Sequence, residues 1–166
     1  MMQTATFLFL AFIIIQRLSE LVIAKRNTAK LLPKGAYEVG AAHYPVMVAM
    51  HTAWITCLVV FGYDEAVDLT WLGAFAVLQV LRLWILGSLG RRWTTRIIVL
   101  EGPLVVRGPF KYFAHPNYML VVAEIIVAPM VIGLGWVAVI FTILNAAMLW
   151  VRIRIEHNAL APFRAT

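Results

Sequence analysis

The sequence predicts an all-α integral membrane protein with about five transmembrane helices, and three observations support this fold class. Hydrophobic residues make up 63% of the 166 residues, and the mean hydropathy of +0.87 is too high for an ordinary soluble domain. The apolar residues fall in five runs, each close to the roughly 20 residues that cross a bilayer as a helix. No tandem repeat or low-complexity tract divides the chain, so residues 1–166 are predicted to form a single membrane domain.

The apolar runs define the predicted helices in chain order. The spans are residues 3–24, 45–63, 69–89, 117–133 and 135–151, followed by a tail at 152–166. No small-residue cleavage site follows the first run, so it is interpreted as a helix that is retained and not as a signal peptide. Only the sequence GLG separates the last two runs, which predicts a tight helical hairpin.

The distribution of charge predicts the orientation in the membrane. Basic residues follow the first span, the third span and the last span, whereas the loop after the second span reads YDEAVD. Because Lys and Arg accumulate on the cytoplasmic side, the N-terminus is expected outside and the C-terminus in the cytoplasm of a bacterial inner membrane. The net charge of +6 is then a topology signal and does not indicate nucleic-acid binding. Cys57 lies alone inside the second span, so neither a disulfide nor a metal site is predicted.

Two irregular segments are expected on the cytoplasmic side. In residues 25–44, Pro33 and Gly35 argue against one continuous helix, and a short interfacial helix with a re-entering turn is predicted. In residues 91–116, two β-branched runs flank Gly102-Pro103, which predicts a small hairpin or an extended flap at the membrane surface.

Ionisable residues inside the spans need partners, because a charge facing lipid costs several kcal/mol. Arg17 and Glu20 are three residues apart and are expected to pair along one helical face, with a structural role favoured. Arg82 shares a face with Gln79, and both a structural role and a place beside a polar cavity remain open. Glu124 has no cation at helical spacing, so its partner must come from another helix, and a functional role is favoured.

Two short stretches carry the candidate chemistry. In GPFKYFAHPNYM, His115 directly precedes Pro116, which favours the first turn of the fourth helix, with Tyr112 and Tyr118 close by. An interfacial aromatic belt is the alternative interpretation. In RIRIEHNAL, Arg152 and Glu156 are four residues apart and share a helical face, for which a solvated ion pair is the alternative.

Together these stretches resemble the isoprenylcysteine carboxyl methyltransferase family of integral membrane enzymes. The residues that match its motifs are Gly108, Pro109, Tyr112, His115, Pro116, Tyr118, Arg152 and Glu156. Ala114 stands where the family usually has Arg, and His157 replaces the second Glu of a pair. The N-terminal half is similar to bacterial members often encoded beside type III polyketide synthases, which methylate alkylpyrones or alkylresorcinols.

The resemblance implies S-adenosylmethionine as methyl donor, in a cytoplasmic pocket formed by the last two helices and the tail. The residues expected to bind this cofactor are Tyr112, His115, Pro116, Tyr118, Glu156 and His157. The acceptor, entering from the bilayer, is either a prenylcysteine-like carboxylate or the hydroxyl of an alkylpyrone or alkylresorcinol. Arg152 is expected to hold an anionic acceptor, and Glu124 to act as base for a phenol, whose pKa is about 10.

Three other functions remain open at this point. An NADPH-dependent reductase of the membrane sterol type shares a similar His-Pro-x-Tyr region, although its tail is longer. A phospholipid N-methyltransferase uses the same donor with an amine acceptor. A non-catalytic membrane adaptor would be consistent with Ala114 and His157. The expected partners are a lipophilic or prenylated substrate and membrane lipid, with no nucleic acid.

Overall fold

The computed structural model describes residues 4–102 and 105–161, and within them the chain forms five α-helices and a two-stranded β-ribbon. The helices are α1 (Thr4–Leu31), α2 (Tyr44–Gly62), α3 (Leu69–Leu89), α4 (Pro116–Val131) and α5 (Gly135–Leu160), and the strands are β1 (Tyr37–Val39) and β2 (Ile97–Val99). The predicted all-α integral membrane fold is confirmed. We call the end of the bundle that carries β1 and β2 the ribbon end.

Among the described residues, α1, α2, α3 and α5 are long and apolar enough to cross a membrane. The fourth predicted span, 117–133, corresponds to the shorter α4, which has 16 residues. At 1.5 Å per residue α4 is about 24 Å long, less than the roughly 30 Å apolar layer of a bilayer. It packs between α3 and α5, and much of its length is buried. Helix α4 is therefore enclosed largely by protein.

Two helices extend further than their predicted spans. Helix α1 continues to Leu31 instead of ending at residue 24, so the predicted interfacial helix is the end of α1 itself. Helix α5 continues to Leu160 instead of ending at 151, so residues 152–160 are helical and not a tail. Hydropathy marks where the chain leaves the bilayer, but the helix continues until Pro or Gly interrupts it. Residues 162–166 of the predicted tail lie outside the described residues.

The predicted hairpin between α4 and α5 is confirmed. Gly133 has a φ of +68°, a left-handed conformation that a residue with a side chain rarely adopts. The Leu134 amide donates to the Pro129 carbonyl at 2.9 Å and closes the turn. The Asp68 amide donates to the Val131 carbonyl at 2.8 Å, which satisfies one acceptor at the end of α4. The turn thus fixes α4 against the start of α3.

The β-ribbon corrects the prediction of a hairpin within residues 91–116. Strand β2 pairs antiparallel with β1, with Tyr37 opposite Val99 and Val39 opposite Ile97. Residues 97–99 are extended as predicted, but their partner comes from the loop after α1, and turn signals cannot identify so distant a strand. Gly102 is described, whereas Pro103 of the predicted turn lies outside the described residues.

The two halves of the bundle differ in what they bury. The main apolar cluster occupies the half opposite the ribbon end, with Phe9, Trp54, Leu58, Phe75 and Val137 among its members. Buried polar and charged side chains, apart from Thr6, lie between the middle of the bundle and the ribbon end: Glu20, Asn27, Arg82, Ser88, Glu124, Asn145 and Arg152. Because burial of such groups is unfavourable unless they are paired, the ribbon half is where a functional site is expected.

Candidate active site

The segment before α4 is held closely against the end of α3. Gly108 has a φ of +57°, and a Cβ added there would overlap the side chain of Ser88. The Arg107 Nε donates to the Ser88 carbonyl at 2.7 Å. A 3₁₀ turn at Gly108–Lys111 then leads to His115, and Pro116 is the first residue of α4. The prediction that His115-Pro116 opens the fourth helix is confirmed.

The two motif stretches meet at the hydroxyl of Tyr118. Arg152 Nε donates to this oxygen at 2.8 Å, and the hydroxyl in turn donates to the Glu156 carboxylate. The His115 ring stacks on the Tyr118 ring with centroids 5.3 Å apart and planes inclined by 14°. Four of the predicted site residues, far apart in sequence, therefore form one contiguous group.

Arg152 is 6% exposed, and one of its donor nitrogens faces a poor acceptor. Its Nη2 donates to the Thr95 carbonyl at 2.7 Å, which ties α5 to the segment before β2. Its Nη1 faces the Met47 sulfur at 3.1 Å. A thioether accepts hydrogen bonds weakly, so this N–H can be taken over by an oxygen anion.

A cavity with a mixed polar and apolar lining, which we call the ribbon cavity, lies between β2, the start of α4 and the end of α5. Its lining includes Trp93, Ala114, His115, Tyr118 and Glu156, and its volume, with the open mouth included, is about 680 Å³. The Trp93 indole N–H is buried without a hydrogen-bond partner among the described residues.

A second, largely apolar cavity, which we call the bundle cavity, lies between α1, α2, α4 and α5. Its volume is about 960 Å³ with the open mouth included, and its apolar walls are formed by Leu21, Val48, Ile55, Val121, Met148 and Leu149. Leu21 and Val48 also have 42% and 37% of their surface exposed. The cavity therefore reaches the lipid-facing surface between α1 and α2.

The two cavities share one wall. Trp93, Thr94, Asn117, Tyr118 and Arg152 line both of them. A hydrophilic ligand in the ribbon cavity and a lipophilic ligand in the bundle cavity would therefore approach each other across Arg152 and Tyr118.

A buried charge network lies deeper in the bundle, and it confirms the predicted pairing. Arg17 binds Glu20 at 3.2 Å and Glu124 at 2.7 Å. Arg82 binds Glu20 and contacts Glu124 through two donors. Glu124 thus finds its partners on other helices, as predicted, and two cations balance two carboxylates. Arg17, Glu20 and Arg82 line the bundle cavity, whereas Glu124 is 1% exposed and is not part of the described lining.

The structure does not bring every predicted site residue to the cavities. Tyr112 is 70% exposed, and neither it nor His157 belongs to the described linings of the two cavities. Pro116 is buried and starts α4 without lining either cavity. Glu124 is separated from Arg152, because its carboxylate is held by Arg17 and Arg82. The proposed functions of these four residues stay predictions.

Several lining residues were not identified from the sequence. Met47, Trp93 and Thr95 belong to segments without motif character, and only the tertiary fold brings them to Arg152. Asn117 lies inside the quoted motif, and its position two residues after His115 is a signal that could have been used. Asn145, an amide in the middle of an apolar span, is a second such signal.

Comparisons with known proteins agree with this arrangement. The model of the isoprenylcysteine carboxyl methyltransferase (ICMT) family matches residues 71–162, which include both motif stretches. The chain is 38% identical over 162 residues to "Uncharacterized protein YpbQ" of Bacillus subtilis (strain 168), covering 94% of this chain and 96% of that protein. No solved structure matches the chain. The chain therefore belongs to the isoprenylcysteine carboxyl methyltransferase family of membrane methyltransferases.

Proposed function

We propose that the protein transfers a methyl group from S-adenosylmethionine in the ribbon cavity to an oxygen of a lipophilic acceptor in the bundle cavity. The observation that carries this proposal is the common wall of the two cavities. One cavity has polar groups of the family motifs in a mixed lining, the other is largely apolar and open toward lipid, and Arg152 lines both. Methyl transfer needs donor and acceptor aligned at close range, and this arrangement supports such alignment.

The groups that line the ribbon cavity fit the chemistry of the donor. The Glu156 carboxylate can accept from its ammonium group or its ribose hydroxyls, and His115 can donate to its carboxylate. The buried Trp93 N–H has no partner among the described residues and can donate to a further oxygen or nitrogen. When bound, the donor would supply a methyl group carried by a cationic sulfur. Transfer of the methyl group to the acceptor oxygen would leave the sulfur as a neutral thioether. Ala114 contributes only a methyl group to this wall.

Arg152 is proposed to hold the oxygen that accepts the methyl group. Its Nη1 can leave the Met47 sulfur for an oxygen anion, while Nε and Nη2 keep the guanidinium fixed on Tyr118 and Thr95. Arg152 is buried and the bundle cavity is largely apolar, so the charge on the guanidinium is weakly screened. A carboxylate or an acidic hydroxypyrone is already ionised at neutral pH and needs no base, whereas a phenol with a pKa of about 10 does.

We further propose that the ribbon end faces the cytoplasm of a bacterial plasma membrane, with the N-terminus outside. The basic residues of 25–34, 91–111 and 152–154 all follow or precede helix ends at the ribbon end, whereas Asp64, Glu65 and Asp68 lie in the turn at the opposite end. The positive-inside rule supports this orientation, and it would place the ribbon cavity in contact with the cytosolic donor.

Donor binding and methyl transfer should be measured separately on protein reconstituted in lipid nanodiscs. Titration calorimetry with S-adenosylmethionine is expected to show binding that Glu156→Ala abolishes, with NADPH not bound. Arg152→Lys is expected to retain donor binding but to lose about tenfold or more in transfer of labelled methyl to lipophilic acceptors, because Lys lacks the planar fork that Tyr118 and Thr95 hold.

Arg154→Lys is the matched control, since Arg154 lies on the same helix, is exposed, and stacks on Trp150 with its guanidinium carbon 3.8 Å from the ring centroid. It should change neither quantity. Binding of NADPH in place of S-adenosylmethionine, or of neither ligand, would overturn the proposal.

A further inference from the structure

The side chain of Asn145 is a buried donor in the bundle cavity that the proposed methyl transfer does not use. Asn145 is 2% exposed and lines the cavity, and its Nδ2 has no hydrogen-bond partner among the described residues. An amide N–H that is removed from water and left without an acceptor is destabilising. In a cavity open toward a ligand, such a group indicates that the ligand supplies the acceptor.

His51 provides a complementary acceptor in the same cavity. Its Nδ1 lies 2.9 Å from the Met47 carbonyl oxygen. A carbonyl can only accept, so Nδ1 carries the proton, and in the neutral ring Nε2 is left as an acceptor. His51 also lines the bundle cavity. The cavity therefore offers one N–H donor and one nitrogen acceptor on facing helices, α5 and α2.

These two side chains lie further from the ribbon end than Arg152. Asn145 and Arg152 are seven residues apart on α5, so they share one face and are separated by two turns, about 10 Å along the axis. His51 is one turn further into α2 than Met47, which contacts Arg152. The residues between the two levels include Met148 and Val121, which are apolar.

We propose that Asn145 and His51 form a second polar subsite that binds an additional oxygen of the acceptor, most simply a hydroxyl that accepts from Asn145 and donates to His51. This inference rests on the proposed function in that the methylated oxygen is the one held at Arg152. The subsite selects acceptors with two separated oxygens over lipids with a single oxygenated end. A plain hydrocarbon chain at this depth would leave the Asn145 donor unpaired, which lowers its affinity.

Two commercial lipids that differ by one hydroxyl test the subsite by binding alone. 10-Hydroxystearic acid and stearic acid carry the same carboxylate and alkyl chain, and the hydroxyl of the former lies about 10 Å from its carboxylate, which matches the two turns of α5 between Arg152 and Asn145. The wild-type protein in nanodiscs is expected to bind the hydroxy acid about tenfold more tightly, the magnitude of roughly one hydrogen bond. Asn145→Leu, which keeps the branched shape at Cγ but lacks the donor, is expected to bind both probes equally.

Thr142→Val is the matched control on the same helix. The Thr142 hydroxyl is also buried without a partner among the described residues, but Thr142 is not part of the described lining of the bundle cavity. This variant should keep the tenfold preference. His51→Leu is a second test from the opposite helix, which keeps the inference falsifiable if Asn145→Leu does not fold, and it should lose the preference.

The outcomes separate this inference from the proposed function. Equal binding of the two probes to wild-type protein, no binding of either, or a preference that survives both Asn145→Leu and His51→Leu would overturn the subsite. Loss of the preference in Thr142→Val would also count against it, since a general packing effect would then explain the result. A preference for the hydroxy acid without any methyl transfer would support the subsite while contradicting the proposed reaction.

Discussion

The buried charges show how single residues constrain this bundle. Glu124 is 1% exposed and receives hydrogen bonds from Arg17, Arg82 and Gln79. Because a charge within a membrane bundle must be paired or solvated, the carboxylate pairs with two cations from α1 and α3, whose charge it balances together with Glu20. Residue Glu124 therefore connects α4 to both helices, a structural role that its position in the apolar fourth span does not reveal.

Replacing Glu124 with Gln should destabilise the protein by about 3–5 kcal/mol, because it leaves a buried cation without a counter-charge. Thermal unfolding in detergent measures the change. Glu38→Gln is the matched control: it removes one partly exposed ion pair with Arg96, at 2.8 Å, and should cost about 1 kcal/mol or less.

The same variant also tests the prediction that Glu124 is a catalytic base. If Glu124 only balances charge, methyl transfer by the folded fraction stays close to the wild-type rate, and removing one cation in the double variant Arg17→Gln with Glu124→Gln restores part of the stability. A Glu124→Gln protein that keeps its unfolding temperature but loses methyl transfer to a phenol would contradict the structural role and support the base.

At the scale of single elements, the segment between β2 and α4 requires a glycine at position 108. Gly108 combines a left-handed φ of +57° with a backbone that lies against Ser88. Gly108→Ala should therefore displace the turn at Gly108–Lys111 and move His115 relative to Tyr118, since both the conformation and the contact disfavour a Cβ. We expect donor binding by calorimetry to weaken about tenfold or more.

Gly87→Ala is the control for this prediction, because Gly87 lies inside α3 next to Ser88 and a Cβ there meets no atom within 4 Å. It should leave donor binding unchanged and stabilise α3 slightly through helix propensity. Partial recovery of binding in Gly108→Ala combined with Ser88→Gly would show that the contact contributes. Unchanged binding in Gly108→Ala alone would refute the requirement for glycine.

At the scale of the whole molecule, the proposed orientation can be tested with single cysteines. In a Cys57→Ser background, Tyr63→Cys places a thiol in the turn opposite the ribbon end, and Lys34→Cys places one near β1; both native positions are exposed. In intact bacterial cells, a membrane-impermeant maleimide should label position 63 and reach position 34 only after permeabilisation.

The parent protein without cysteine should not be labelled. The reverse pattern, with position 34 labelled in intact cells, would contradict the orientation and would place the ribbon cavity outside the cytosol. The measurement therefore bears on the donor as well, since S-adenosylmethionine is supplied from the cytosol.

The sequence was most informative where the relevant interaction is local. Helix α3, the hairpin around Gly133 and the start of α4 at Pro116 follow from hydropathy, turn residues and the fixed φ of proline. The sequence also predicted that Glu124 has a partner on another helix, because no cation lies at helical spacing on its own helix. The ends of α1 and α5 were missed, since hydropathy reports the edge of the bilayer and not the end of hydrogen bonding.

By itself, the sequence determined an all-α membrane bundle and the two motifs of the family, because apolar runs and local spacing act within one helix or turn. Only the tertiary structure decided that β1 pairs with β2, that Arg152 and Tyr118 separate two cavities, and that Asn145 lines one of them. Each of these depends on residues dozens of positions apart in the chain. Their contacts are set by how the helices pack against one another, which no local pattern in the sequence specifies.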